Sequence, residues 1–326
     1  MVKTLVGLFA LAAGGCAFAA TDGAVTPDNL ASRLNSATGG AVIRLSPGDY
    51  GTITIPRKVF TPAIRIDARQ AMFRGLVLNG ASGVEVVGGT VVGPGGRSYG
   101  ISLRDAARVR IEGMTIRGAH RGIVVSNSSD IALVGNMLIG LISDGIDIAL
   151  SQRVLVERNT CRGFTPTPAI YDASGTRLKD GDHPDCIQAW SRPTAPPTSD
   201  LTIIGNVTEG EMQGIFLGNH VRAGVDDGGF DRIVIRDNRV QVGMPNGIVI
   251  GNGRDSIVVD NEVRSVTGSI LSVARPIRVK ANLRVSGSRN VVCGNHVFDV
   301  PEATGAQPCN LEERRQIAQH PIRKEK

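Results

Sequence analysis

Short runs of Val and Ile ending in Asn or Gly return along this chain at nearly fixed intervals, and this recurrence restricts the fold more than any other feature. "RVRIEG" ends at Gly113, "DIALVGN" at Asn136 and "RVLVERN" at Asn159, 23 residues apart each time. "DLTIIGN", "RIVIRDN", "SIVVDN" and "NVVCGN" carry the series to Asn206, Asn238, Asn261 and Asn295 at longer intervals, as insertions would give. A second series runs in phase: "YGISL" from Tyr99, "RGIVV" from Arg121, "DGIDI" from Asp144, "QGIFL" from Gln213 and "NGIVI" from Asn246. Apolar residues alternate within each run, the period of a strand with one face inward. A repeat this short cannot bury its own apolar face, whereas stacked repeats bury a continuous column. The expected fold is all-β, a right-handed parallel β-helix solenoid of at least seven turns, each with at least two strands.

Composition agrees, because 41 glycines supply turns and an aromatic content of 4% leaves Val, Ile and Leu to build the core. The recurring Asn residues are expected in left-handed turns, with side chains bonded to backbone of neighbouring turns. Asp130, Asp200, Asp231 and Asp255 sit at one repeated place before strands and read as turn formers. An open solenoid needs capped ends. "TPDNLASRLNSATGG" predicts an N-terminal capping helix with Thr26 as N-cap, Pro27 at the first helical position, and Leu30 and Leu34 facing the first turn.

Residues 1–19 read as a signal peptide: Lys3, an apolar run from Leu5 to Ala13, and Ala17-Phe18-Ala19 as the cleavage site. That run is too short to span a bilayer, so no membrane span is expected. Residues 20–309 are expected to form one β-helix domain, and 310–326 a charged C-terminal tail, with Arg314-Arg315 solvated or disordered. Loss of the leader removes Cys16 and leaves four cysteines for an oxidising compartment. Cys293 with Cys309 is the expected bridge, and Cys161 with Cys186 depends on geometry. The formal net charge of +6 biases a secreted protein toward acidic partners, and losing Lys3 lowers it by one. No zinc spacing, nucleophile elbow or nucleic-acid motif occurs, and a monomer without a nucleic-acid partner is expected.

With these features the chain resembles the secreted pectate-lyase-like right-handed parallel β-helix proteins, over about residues 24 to 300. Its cap, "NLASRL" followed by "GGAVIRLSPGDY", looks like the entry to β-helix polysaccharide lyases of the alginate and chondroitin group. The resemblance implies a scaffold shared by lyases, hydrolases and epimerases of acidic polysaccharides. "SDGIDI" is faintly similar to the polygalacturonase-type hydrolases, but the adjacent paired aspartates and the Gly-His-Gly of that group are missing. "HPD" is similar to the Asp-Pro-His-Asp of alginate epimerases without matching it.

Function is sought where the repeat is broken. Aligned on the second series, Asp144-Gly145-Ile146-Asp147 stacks on Asp185-Cys186-Ile187-Gln188, with Gln213 and Phe216 next and Arg121 and Val124 before. Stacked strands lie about 4.8 Å apart, so Asp144 and Asp185 are expected as neighbours on one exposed face. Carboxylates that close need a shared proton, a cation or a metal. Asp144, Asp147 and Asp185 are the candidate Ca²⁺ ligands. "KDGDHPDCIQAW" ends a long insertion that delivers His183 and Asp185 to this face, and a second insertion brings His220 and Arg222.

β-Elimination from a uronate needs its carboxylate neutralised, a base for the adjacent C–H and an acid for the leaving oxygen. His183 or Lys179 is the expected base, with Asp144 and Asp185 in the catalytic set. Arg177, His220, Arg222, Gln188, Gln213 and Trp190 are expected to bind the substrate. The expected protein is thus a secreted or periplasmic lyase of an acidic polysaccharide. Hydrolysis by paired aspartates, uronate epimerisation and a non-catalytic glycan-binding solenoid stand as alternatives.

Overall fold

The computed structural model describes residues 25–268, 277–300, 302, 303 and 305–319. The leader expected at 1–19, with Cys16, and the basic end Arg323–Lys326 lie outside these residues.

The chain winds as a right-handed parallel β-helix, the hand that parallel crossovers require. Three strands make a full turn. One face runs from Val42–Arg44 to Val291–Cys293, a second contains ten very short strands from Gly48–Asp49 to His296–Val297, and a third runs from Thr52–Thr54 to Asn282–Ser288. Among the described residues this ten-stranded face marks ten turns. Its strands bury two side chains at most, and Thr115–Arg117 and Met137–Ile139 only one each, too few for a period-two pattern to show in sequence.

Parallel pairing places like positions over one another. Ile111, Leu133, Val156, Ile203, Ile235 and Val258 form one inward column, and Ile123, Ile146, Ile187, Ile215, Ile248 and Leu283 another. All twelve are fully buried. The early register differs by one from the 23-residue reading: Glu112 pairs with Val134, so Met114 rather than Gly113 stands opposite Asn136.

From Asn136 onward the recurring Asn residues form a ladder through Asn159, Asn206, Asn238, Asn261 and Asn295. In each step the backbone N–H and the side-chain Nδ2 of one Asn donate to Oδ1 of the next, at 2.8–3.1 Å. The expected bonding between turns is present. The expected left-handed backbone lies one residue earlier, at Gly135, Arg158, Gly205, Asp237, Asp260 and Gly294.

Asp130, Asp200 and Asp255 are left-handed turn residues, in one column with Arg108, Arg153, Arg232 and Arg289. Arg153 pairs with Asp130, Arg232 with Asp200, and Arg289 with Asp255, each through two guanidinium nitrogens. Asp231 is one place off this column and accepts instead from Arg254. Exposed pairs of this kind add little to stability.

The capping helix α1, Leu30–Ser36, buries Leu30 and Leu34 as expected. It starts later than the sequence suggests: Thr26 to Asn29 form a turn in which Asn29 Oδ1 accepts the Thr26 N–H, so Thr26 is not the N-cap. At the other end, the tail segment Leu311–Gln319 is a second helix, α2, and Arg314 and Arg315 are exposed on it. Asn310 and Glu313 cap it reciprocally, each side chain accepting the other's backbone N–H. Ile317 and Cys309 pack against Val234, Ile257, Val259, Val291 and Cys293 on the outside of the last turns. Both disulfides form, Cys293–Cys309 and Cys161–Cys186.

Replacing Asn206 with Ala removes an acceptor from Asn159 and a donor to the Val156 carbonyl inside the ladder. Buried groups left unpaired cost about 1–3 kcal/mol each, so Asn206→Ala is expected to lose roughly 3 kcal/mol or more in denaturant unfolding. A loss no larger than that of exposed Asn127→Ala would contradict the ladder's structural weight.

Candidate functional site

The break in the repeat lies on the third face, midway along the solenoid. Ile146 and Ile148 point into the core, which turns Asp147 outward; the same alternation in Asp185–Trp190 buries Ile187 and Ala189 and turns Gln188 and Trp190 outward. The expected stacking of Asp144 beside Asp185 is present: the Asp185 N–H donates to Asp144 Oδ1 at 3.2 Å. The expectation of an exposed face is corrected, since Asp144, Asp147 and Asp185 are all buried.

The partner that alignment displayed but did not assign is Arg121, one turn before Asp144. Its Nε lies 3.0 Å from Asp144 Oδ2 without hydrogen-bond alignment, and its Nη1 donates to Asp147 Oδ2 at 2.9 Å. Gln188 Nε2 donates to Asp185 Oδ2 at 2.7 Å, and Gln188 Oε1 accepts from Trp190 Nε1 at 3.0 Å. A polar chain therefore runs from Arg121 through the buried acids to the indole. One oxygen of Asp147 and one of Asp185 have no hydrogen-bond partner among the described residues.

One guanidinium cannot balance three buried carboxylates. Burial pushes Asp144 up against the opposing pull of Arg121. Burial, reinforced by the charge of Asp144, raises Asp147 to about 6. Asp185 is raised well above the usual carboxylate range by burial first and then by Asp144 and Asp147. Proton sharing, with Arg121, relieves the repulsion.

A cleft of about 560 Å³ opens over Asp147, bounded by Arg121, Trp190, Arg192, His220 and Arg222. The second insertion builds one wall as a hairpin, Val221–Arg222 against Val225–Asp226. Asp227 fixes it by accepting the N–H groups of His220 and Gly229. His220 stacks on Trp190 with ring centroids 4.8 Å apart, so one face of the indole expected to bind substrate carries an imidazole.

The structure thus gathers Asp144, Asp147, Asp185, Gln188, Trp190, His220 and Arg222 at one place. Gln213 is the next residue of the Asp185 column. His183 is exposed and does not line the cleft. Lys179 and Arg177 stand on an exposed hairpin, Ile170–Tyr171 with Arg177–Lys179, where Arg177 pairs with Asp180. Arg192 was missed, because nothing in "SRPTAPPTSD" marks one arginine of a loop as facing a cleft. Cys161–Cys186 closes the base of the first insertion beside Asp185.

The donor set does not suit Ca²⁺, which takes about six to eight oxygens. Arg121 engages two of the acids, and the three do not bring ligand oxygens within 4.8 Å of one another. Among the described residues the one trio that does so is Cys293, Cys309 and Glu313, whose sulfurs are bonded to each other.

No family model matches the chain, and no curated protein does. Among solved structures it is similar to the surface adhesin PfbA of Streptococcus pneumoniae, at 11% identity over 70% of this chain and 65% of the adhesin, TM-score 0.48. This chain therefore spans just under two thirds of that protein. It is also similar to pectate lyase Pel9A, at 14% identity over 87% of this chain and 81% of the lyase, TM-score 0.47. An alginate lyase from Paenibacillus sp. str. FPU-7 aligns at 15% identity over 83% of this chain and 95% of that one, TM-score 0.43. Likenesses of this size leave the activity of the chain to its own residues. Among the described residues no helix is long and apolar enough to cross a membrane.

The raised acids carry a stability signature. Protonated, Asp147 and Asp185 favour the fold; that contribution is complete below the ordinary value of 3.8 and fades as pH rises through the folded values, about 6 for Asp147. Asp185→Asn keeps the shape without the charge. It is expected to melt above the wild type at pH 8, with the difference vanishing near pH 4; a lower melting temperature at pH 8 would mean that the ionised carboxylate is the favoured form.

Proposed function

We propose that the protein is a secreted enzyme that cleaves a uronate-containing polysaccharide by β-elimination over Asp147. The observation that carries this reading is a carboxyl raised to about 6, lining a cleft that also holds Arg121, Arg192 and Arg222. A group near that value is mostly ionised at neutral pH yet basic enough to take a proton. Export is supported by two disulfides, which persist in oxidising compartments.

In this reading Arg192 and Arg222 hold the sugar carboxylate and acidify the adjacent C–H. Asp147 takes that proton, the electron pair forms the carbon–carbon double bond, and the bond to the leaving oxygen breaks. Asp147 then returns the proton to that oxygen. Arg121 is the positioning residue that holds Asp147, and Gln188 fixes the Trp190 wall. No step runs through a metal, and His183 has no part in this route.

The test is incubation of the purified protein with alginate, pectate and other polyuronates. Absorbance from the unsaturated product is expected, with kcat/KM rising through an apparent pKa near 6. Asp147→Asn should lower turnover by about 10² or more, whereas His183→Ala should leave it unchanged. Hydrolysis is a second reading favoured by the stacked acids Asp144 and Asp185; new reducing ends without absorbance would establish it in place of elimination.

A further inference from the structure

Beyond Asp147 the outward face of the solenoid continues in an ordered way. The column that begins with Asp147 and Gln188 proceeds through Phe216 and Val249 to Arg284, one residue per turn. Beside it, the Asp185 column proceeds through Gln213 to Asn246 and Asn282. Turns stack about 4.8 Å apart, so Arg284 lies roughly 19 Å along the solenoid from Asp147. Between them stand the apolar Phe216, half-buried, and Val249, buried.

The cation at its end is held in place. Arg284 Nη2 donates to Asn246 Oδ1, and Asn246 Nδ2 donates to Gln213 Oε1, next to Asp185. Arg284 is exposed, and it has no carboxylate partner among the described residues. This sets it apart from the arginines of the turn column, several of which are clamped to an aspartate. A guanidinium that is anchored on one nitrogen and open on the others suits a carboxylate ligand.

We propose that Arg284 forms a distal subsite that binds a second carboxylate of the same acidic polysaccharide, several sugar units from the bond cleaved at Asp147. The proposal rests on the substrate class argued above, and on the strand register that places Phe216, Val249 and Arg284 in one column with Asp147. It makes the protein prefer long chains: an oligosaccharide too short to span from Asp147 to Arg284 gains nothing from the arginine.

The experiment compares Arg284→Gln and Arg284→Lys with the wild type on polyuronates of defined length. Loss of one charge-assisted contact corresponds to about a tenfold change. Arg284→Gln is expected to raise KM on the long polymer about tenfold, to leave kcat unchanged, and to leave both constants unchanged on the shortest cleaved oligomer. Arg284→Lys is expected to recover part of the loss. Equal losses on short and long substrates, or none on either, would overturn the subsite. Calorimetric binding of the same polyuronates separates this from the reaction: tighter binding of long chains that Arg284→Gln abolishes supports the subsite even if no product forms. Wild-type protein that binds no polyuronate would overturn both.

Discussion

Parallel hydrogen bonding between successive turns holds each side chain about 4.8 Å from its counterpart above and below, and the core, the amide ladder and the surface ion pairs follow from that spacing. Apolar residues so stacked make a core without aromatics. Asn residues so stacked satisfy one another's amides and the buried turn backbone in a single ladder. Oppositely charged residues so stacked make a surface column of Arg and Asp. Stacked acids, by contrast, repel, and the same regularity that stabilises the scaffold concentrates charge where the pattern changes.

At Asp144, Asp147 and Asp185 two opposing effects meet. Burial disfavours every charge, and Arg121 favours at most one or two of them. Desolvation wins at Asp185, which has no arginine, and also at Asp147, where Arg121 opposes it without cancelling it and the group borders the cleft. The result is a set of raised carboxyls across two turns, from fully buried Asp185 to Asp147 at the cleft. A scaffold that orders its strands so rigidly can hold such a strained arrangement without moving to relieve it.

Much of this was legible in the sequence because a stacked fold turns alignment into geometry. The spacing of "IALVGN" and its relatives predicted the solenoid, and the register of "DGID" on "DCIQ" predicted that Asp144 would touch Asp185. The ten-stranded face was not legible, since strands like Thr115–Arg117 carry one inward residue each. Which insertion residues face the cleft was not legible either: loops have no period, so His183 and His220 looked alike, although one is exposed and the other stacks on Trp190. Helix α2 had its signal in Asn310 and Glu313, which the charge of the tail obscured.

In the proposed reaction the interrupted column holds a carboxyl, Asp147, poised to exchange protons with a bound polyuronate. This is tested most directly by following the carboxyl carbons of aspartate-labelled protein through a pH titration by NMR, with and without an oligouronide. A resonance with its midpoint at about 6 is expected, absent in Asp147→Asn and displaced when the oligouronide binds. Aspartates that all titrate below about 5, in the range ordinary for exposed carboxylates, and that ignore the ligand would contradict it.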